Sequence, residues 1–516
     1  MLAIGGSAAD AMIATMLCES VVKPQDHGLG GGFVATIYTK ETGIIETLIS
    51  RETAPAAATR DMFVNETTDT GAIFAAVPSF IYGCWRLHDK YGKLPWHTLL
   101  EPTIELCRNG IVVSKSLAGN LVRFEEIIMK EISLSEIFIN PATQAIYQEG
   151  EIMFRRVLAD TLEIIAKEGP EVIYRSGRIG RMLVEDIKEM GGIITEKDLQ
   201  DYDVRWEEPL HSVLANGYNL YTSPLPTSGA LLIFMLNVMK PLYTSDHELY
   251  WHRLIETFKH AYGLRSELAD IHFEPSIQKA YKNLLDPEFA AEVRKLILDN
   301  ATFTDLNYYG AKFSNVEDRG TAQISVLTPN GDAISVTSTI NNYFGAQVRS
   351  RRTGIILNDQ MNDFSTPGKN SVDNIPPSPS NFIKPGKRPM SSFCPSIVLD
   401  NNGNVKLIVG AAGGPRITTS VAQTILRYFV LQESIESAVN KGRLHHQLSP
   451  MHIVVEPNVP RHTTEYLQKI GHKLKWVSSA NTSVTAIANM DGIPQPVFDQ
   501  RRGGSTVITN IVLKRS

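Results

Sequence analysis

Gly320-Thr321 opens the segment GTAQISVLTPNGDAISVTSTINN, residues 320–342, and Thr339 lies near its far end. A threonine hydroxyl inside a chain is a weak nucleophile that needs a base. A cut in front of Thr321 gives that residue a free α-amine, whose reference pKa is about 8. Such an amine takes the hydroxyl's proton directly or through a water. Glycine before the threonine allows a strained local backbone through which Oγ reaches the preceding carbonyl. The spacing also supplies a neighbour. Pro329-Asn330-Gly331 suits a three-residue hairpin loop, with Thr328 opposite Asp332. Gln323 then faces Thr337 and Thr321 faces Thr339, with Asn341 one step beyond on the same side. A two-residue Asn-Gly turn would pair Thr321 with Ile340 and turn Thr339 away; Pro329 favours the first register. Periodicity alone leaves a polar, solvent-facing strand surface as the plainer reading of this face.

The elements that must position these residues are legible in outline. Ser7 is suited to cap a helix with Ala11, Ile13, Met16, Leu17 and Val21 as apolar positions, ended by Pro24. His27-Gly-Leu-Gly-Gly-Gly32 precedes a strand, FVATIYT. That many glycines imply close backbone packing or a sharp bend. A phosphate cradle fits less well, because the Walker Lys-Ser/Thr is absent and the strand follows the glycines. Residues 154–202 look helical, with a break at Gly191-Gly192. Ala230–Met239 reads as a core helix, Asp246 to about Ala269 as a long helix capped by Asp246, and Asp286–Leu298 as another. Beyond Thr321 the period shifts towards two, with strands expected near 321–328, 332–340, 353–358, 394–399 and 404–409. Helices return near 418–431 and 462–470. Residues 314–320 and 366–390 look like loops. The mixed pattern implies a layered α/β or α+β sandwich.

The chain has 516 residues, 43% of them hydrophobic and 20% charged, with a formal net charge of −5. Those values suit a globular enzyme and argue against a nucleic-acid partner. The four cysteines (18, 84, 107 and 394) show neither disulfide nor metal spacing and read as packing residues. His445-His446 reads as structural, since adjacent side chains rarely aim at one ion. Asn65, Asn300 and Asn481 stand in glycosylation triplets. Met1 leads directly into a helical stretch without a signal-peptide pattern.

The blocks GGSAADA, GLGGG, RETAP, KYGKLPW, GTAQISV, TSTIN, QMNDFS, PPSPSNFIKPGKRPMSS and GAAGGPRI, in that order, resemble the γ-glutamyltranspeptidase (glutathione hydrolase) family from about residue 4 to about residue 505. The resemblance implies an α+β fold: the four-layer αββα sandwich of the N-terminal nucleophile hydrolases. It implies self-cleavage at Gly320-Thr321 into a large-subunit region, 1–320, and a small-subunit region, 321–516, intertwined as one unit. The implied reaction cleaves the γ-glutamyl amide of glutathione and its conjugates through a γ-glutamyl-threonine ester. The γ-glutamyl group then passes to water, an amino acid or a dipeptide. No cofactor and no metal are implied. The family's opening strand before the first helix has no counterpart here, which implies an unpaired sheet edge or an open face. An uncleaved, inactive member and an acylase of other specificity are the alternatives. Relatives of this kind are extracellular or held at the cell surface, and the expectation carries over.

The resemblance also assigns roles. Thr321 matches the nucleophile and Thr339 its supporting threonine. Arg51, in RETAP, matches the arginine that binds the substrate's α-carboxylate, a task suited to a guanidinium fork, and Ser391-Ser392 match the serine pair on the same carboxylate. Asp363 matches the partner of the α-ammonium, with Asn341 and Gln360 beside it; family members carry Glu or Gln at this last position. Asn362 stands where many members have a second Asp. Gly413-Gly414 match the backbone pair of the oxyanion hole, where loss of one donor costs about 3 kcal/mol. Residues 366–390 match the loop covering the pocket. Ser79 replaces a usual glycine.

Overall fold

The computed structural model describes residues 1–175, 177–316, 320–478, 482–490 and 492–508. Side chains alternate sides along Gly32–Thr39 (β1). Phe33, Ala35 and Ile37 enter one hydrophobic core, while Val34 enters another on the opposite side. A strand covered on both faces belongs to an inner layer. β1 lies in a sheet with Ile44–Ser50 (β2), Arg205–Glu207 (β3), Ala322–Leu327 and Ala333–Thr339.

The second sheet holds Leu210–Val213 (β4), Asn219–Thr222 (β5), Ser396–Leu399, Val405–Ala412, Ser483–Met490 and Ile493–Phe498. Continuing in chain order, Ala322–Leu327 is β6, Ala333–Thr339 is β7, and the last four strands of the second sheet are β8 to β11. The orders are β6-β7-β1-β2-β3 and β11-β10-β9-β8-β5-β4, antiparallel throughout. Both sheets therefore mix strands from before and after Gly320. Among the described residues β6 has no partner on its outer side.

Helices cover the two outer faces. Ala8–Val22 (α1), Phe80–Tyr91 (α2), Trp96–Asn109 (α3) and Arg156–Glu168 (α4) share a core with Ile324, Ile334 and Val336 of the first sheet. Gly229–Met239 (α5), His247–Arg265 (α6) and Arg416–Phe429 (α7) share one with Val398, Leu407 and Val409 of the second. Between the sheets lie Tyr38, Ala333, Ile397 and Ile408. This is the expected αββα layering.

Helix caps follow the sequence reading. Ser7 and Asp10 form a reciprocal capping box on α1, and the Asp246 carboxylate accepts from Leu249 N–H at the start of α6. Two expectations fail. Residues 353–358 form no strand: a turn closed by Gly354 N–H on the Ser350 carbonyl leaves only isolated bridges, at Ile356 and Leu357. The helix expected over Asp286–Leu298 is Pro287–Arg294, because the chain tightens into i→i+3 bonds at Lys295, Leu296 and Ile297.

The glycine block is explained by close approach. A Cβ on Gly30 would lie 2.0 Å from the Ile356 carbonyl oxygen, and one on Gly31 2.0 Å from that of Thr339. A Cβ on Gly32 would meet the Ser50 oxygen at 2.3 Å. Ser79, in place of a family glycine, is accommodated: its hydroxyl donates to the Ser50 carbonyl at 2.7 Å.

Gly31→Ala should therefore destabilise the protein by about 1–3 kcal/mol or more, because backbone must move. Gly119→Ala has nothing within 4 Å and should be neutral or stabilising by up to ~1 kcal/mol in its helix. Thermal unfolding of the two variants distinguishes them; equal midpoints would contradict the close-approach account.

Candidate active site

The hairpin forms in the register set by its three-residue loop. Thr328 N–H donates to the Asp332 carbonyl, and Gly331 N–H closes the turn onto the Thr328 carbonyl. Gly331 has φ +94, where glycine is favoured. Ala322 pairs with Ser338 and Gln323 with Thr337, so Thr321 stands beside Thr339. The face carrying them is buried, contrary to the solvent-facing reading. Thr321, Gln323, Ser335, Thr337 and Thr339 all lie between the two sheets. A sandwich of two sheets gives a polar strand face an interior to point into, which periodicity does not reveal.

The two hydroxyls converge on one atom. Thr321 Oγ1 and Thr339 Oγ1 each donate to the Gly320 carbonyl oxygen at 2.5 Å. Thr339 Oγ1 also accepts from Asn341 N–H at 2.7 Å, so its own proton is directed at Gly320. Gly320 N–H in turn donates to the Asn341 carbonyl at 2.6 Å. A Cβ on Gly320 would lie 2.5 Å from that same carbonyl oxygen. Close approach, not backbone strain, is the visible reason for glycine here.

Gly413 and Gly414 follow β9 directly and lead into α7. Ser335 Oγ reaches the Val409 carbonyl, and the Gln323 side chain lies against Gly410. On that contact Gln323 stands two residues from Thr321 along β6, and Gly410 three residues before Gly413. Both glycines have positive φ, +125 and +61. Among the described residues neither N–H has an acceptor.

Arg51 follows β2 and is fully buried. Its Nη2 donates to Asp363 Oδ2 and its Nε to the Pro389 carbonyl. The Phe393 ring lies 5.5 Å from its Cζ. Gln360 Nε2 donates to the same Asp363 oxygen at 2.6 Å. Among the described residues Arg51 Nη1, Asp363 Oδ1, Gln360 Oε1 and Asn341 Oδ1 are all buried without a hydrogen-bond partner, although Arg51 Nη1 has the Glu52 carboxyl 3.6 Å away. Buried polar atoms are normally paired; this group of cation, carboxylate and amides matches the needs of a small zwitterion. Burial pushes the Asp363 carboxyl up, against the pull of Arg51. Ser391 and Ser392, both buried, lie in the segment between Pro389 and Phe393, two residues that touch Arg51.

Several positioning residues were not apparent in the sequence. Tyr202 O–H and Arg388 Nε both donate to the Arg51 carbonyl. Asn381 Nδ2 donates to the Asp363 carbonyl at 2.8 Å. Asp359 accepts from Asn342 N–H and from the side chains of Asn342 and Asn362. Loop 366–390 is tied down through Ser378 and Ser380 on the carbonyls of Ser266 and Glu267. Ala54 N–H donates to the Lys387 carbonyl, which joins that loop to RETAP.

His445 bonds Thr419 and Gln447, and burial pushes its ring down to about 3; burial likewise pushes His446 well down. Among the described residues His252, Glu256 and His472 are close enough together to hold an ion. Glu256, however, is already met by Lys259, Thr302 and Tyr309, as in a buried ion-pair network. The cysteines are free. Asn65 and Asn300 are exposed, and Asn481 lies outside the described residues.

Glu52 is fully buried, and burial pushes its carboxyl up to about 7, against the pull of Arg51. The folded state therefore holds this proton after the unfolded chain has lost it. Stability should fall as pH rises from about 4.5 to 7, by about 1.4 kcal/mol per unit. In a Thr321→Ala background, Glu52→Gln should remove this contribution from the slope in denaturant titrations at pH 5 and 8, leaving that of Asp359, whose carboxyl burial also pushes up to about 7. An unchanged slope would assign the proton elsewhere.

The family model for γ-glutamyltranspeptidase matches residues 1–509. Scoloptoxin SSD14 of Scolopendra dehaani is 40% identical, over 98% of this chain and 89% of that protein. Glutathione hydrolase 2 of Arabidopsis thaliana is 38% identical, over 97% and 89% respectively. Among solved structures, the cephalosporin acylase of Bacillus halodurans shares the fold, with a TM-score of 0.83 at 23% identity over 97% of this chain and 91% of that one. With a family model spanning nearly its whole length and relatives this similar end to end, the chain belongs to the γ-glutamyltranspeptidase family.

Proposed function

We propose that the protein is a glutathione hydrolase and γ-glutamyltransferase that first cuts its own backbone before Thr321. The observation that carries this reading is the convergence of the Thr321 and Thr339 hydroxyls on the Gly320 carbonyl. Thr339 polarises that carbonyl, and Thr321 Oγ adds to its carbon. The C–N bond then breaks as nitrogen takes a proton, leaving Gly320 as an ester on Thr321. That step frees the α-amine; water then hydrolyses the ester, freeing the Thr321 hydroxyl and leaving Gly320 with a carboxylate. Residues 1–320 and 321–516 become the large and small subunits.

In the cut enzyme the α-amine serves as base for Thr321 Oγ, which attacks the γ-carbonyl of glutathione or a conjugate. Gly413 and Gly414 N–H donate to the developing oxyanion. Arg51, Ser391 and Ser392 hold the α-carboxylate, while Asp363, Asn341 and Gln360 hold the α-ammonium. The proton passes to the leaving amine, giving a γ-glutamyl-Thr321 ester. Water, an amino acid or a dipeptide then takes the γ-glutamyl group. No cofactor and no metal enter these steps. The placement is extracellular or at the cell surface, with Asn65 and Asn300 accessible to glycans. No helix among the described residues is long and apolar enough to cross a membrane.

Mass spectrometry of the mature protein should find a chain beginning at Thr321. Thr321→Ala should remain one band on a denaturing gel and lose at least ~10³-fold in turnover of a γ-glutamyl anilide. A wild-type chain that stays whole and inactive would indicate an uncleaved member. Equal turnover of glutaryl and γ-glutamyl anilides would indicate an acylase of other specificity, since only the latter carries the ammonium.

A further inference from the structure

We propose that Arg265 is a positioning residue of the donor pocket, holding the Ser392 hydroxyl so that its proton is offered to the substrate's α-carboxylate. The inference rests on the donor-site reading above and adds a residue to it.

Arg265 is the last residue of α6 and is buried. Its Nη2–H donates to Ser392 Oγ at 3.2 Å. A serine hydroxyl has one proton and two acceptor positions. With one acceptor position filled by a guanidinium, the O–H must turn elsewhere, and among the described residues nothing accepts it. Ser391 is arranged alike: its Oγ accepts from Phe393 N–H at 3.3 Å, and among the described residues nothing accepts its proton. The backbone fixes both residues. Ser228 Oγ donates to the Ser391 carbonyl at 2.7 Å and Thr418 Oγ1 to the Ser392 carbonyl at 3.2 Å. Two adjacent hydroxyls are thus set as donors, in the segment whose Pro389 carbonyl accepts from Arg51 Nε and whose Phe393 ring lies 5.5 Å from Arg51 Cζ. That is a site for a carboxylate, whose two oxygens accept only.

The arginine is itself held from behind. Its Nη1 donates to Asn315 Oδ1 at 3.1 Å, and Asn315 Nδ2 donates to the Tyr262 carbonyl at 3.0 Å. The charge also favours the last turn of a helix. Arg265 acts electrostatically on Asp363 as well, opposing the burial that pushes that carboxyl up. That influence is the smallest of those acting on Asp363, so the support Arg265 gives falls on the carboxylate end of the pocket, through Ser392.

The test compares Arg265→Gln and Arg265→Lys with the unsubstituted protein on γ-glutamyl anilide and on 4-aminobutyryl anilide, the same donor without its carboxylate. Arg265→Gln should still cut itself before Thr321. It should raise KM for γ-glutamyl anilide roughly 10- to 100-fold, the loss of a hydrogen bond to a charged group, while kcat changes little. Its turnover of the 4-aminobutyryl donor should match that of the unsubstituted protein. Arg265→Lys should recover part of the KM loss, and Arg265→Gln combined with Ser392→Ala should be little worse than either alone. A kcat loss equal on both anilides, or additive effects in the double variant, would make Arg265 merely structural and overturn the proposal. If the unsubstituted protein does not prefer γ-glutamyl over 4-aminobutyryl anilide, the donor-site reading itself fails. If that preference holds and Arg265→Gln keeps it, only the Arg265 assignment fails.

Discussion

The register of one hairpin governs everything else in this molecule. Side chains alternate along a strand, so a slip of one residue between β6 and β7 would send Thr339 to the helix-covered face. Thr321 would then meet no hydroxyl, and the Gly320 carbonyl would lose a donor. The three-residue loop at Pro329–Gly331 excludes that slip. Burial strengthens the constraint, because the face in question carries Gln323, Ser335 and Thr337, bonded to one another and to β9. Those polar groups are satisfied only in the observed alignment.

A second constraint is electrostatic. Arg51 and Asp363 are charged groups in the interior, and removing either partner of such a pair typically costs about 3–5 kcal/mol. The fold compensates by bonding their backbones as well as their side chains. Tyr202 and Arg388 hold the Arg51 carbonyl, and Asn381 holds that of Asp363. The pair is left incompletely bonded: among the described residues Arg51 Nη1 and Asp363 Oδ1 have no hydrogen-bond partner, and Nη1 meets only the Glu52 carboxyl, at 3.6 Å. A ligand carrying one charge of each sign can complete both without disturbing the scaffold.

Much of this was legible along the chain, for identifiable reasons. The hairpin register is local: Pro329, Asn330 and Gly331 dictate it within a few residues. The glycine block correctly signalled close approach, although only the fold shows that the Thr339 carbonyl is what Gly31 approaches. The polar face of β6 and β7 was misjudged because its covering sheet comes from residues far along the chain. The strand expected at 353–358 failed because β-branched composition does not supply a continuous partner. Asp359, Asn381, Arg388 and Arg265 were passed over for a related reason. Each acts on a residue brought near by the fold, and no local pattern announces that.

The mixing of strands from the two sides of Gly320 changes what a backbone cut means. β6 and β7 complete a sheet begun by β1 and β2, while β5 from the earlier part lies beside β8 from the later one. Two pieces so entangled cannot part by sliding; dissociation and unfolding are a single event. Before the cut, refolding is unimolecular. Afterwards the separated pieces must meet again, with exposed strand edges open to wrong partners. A cut there would make the lifetime of the fold depend on the barrier to unfolding, since an assembly route used once need not be available again.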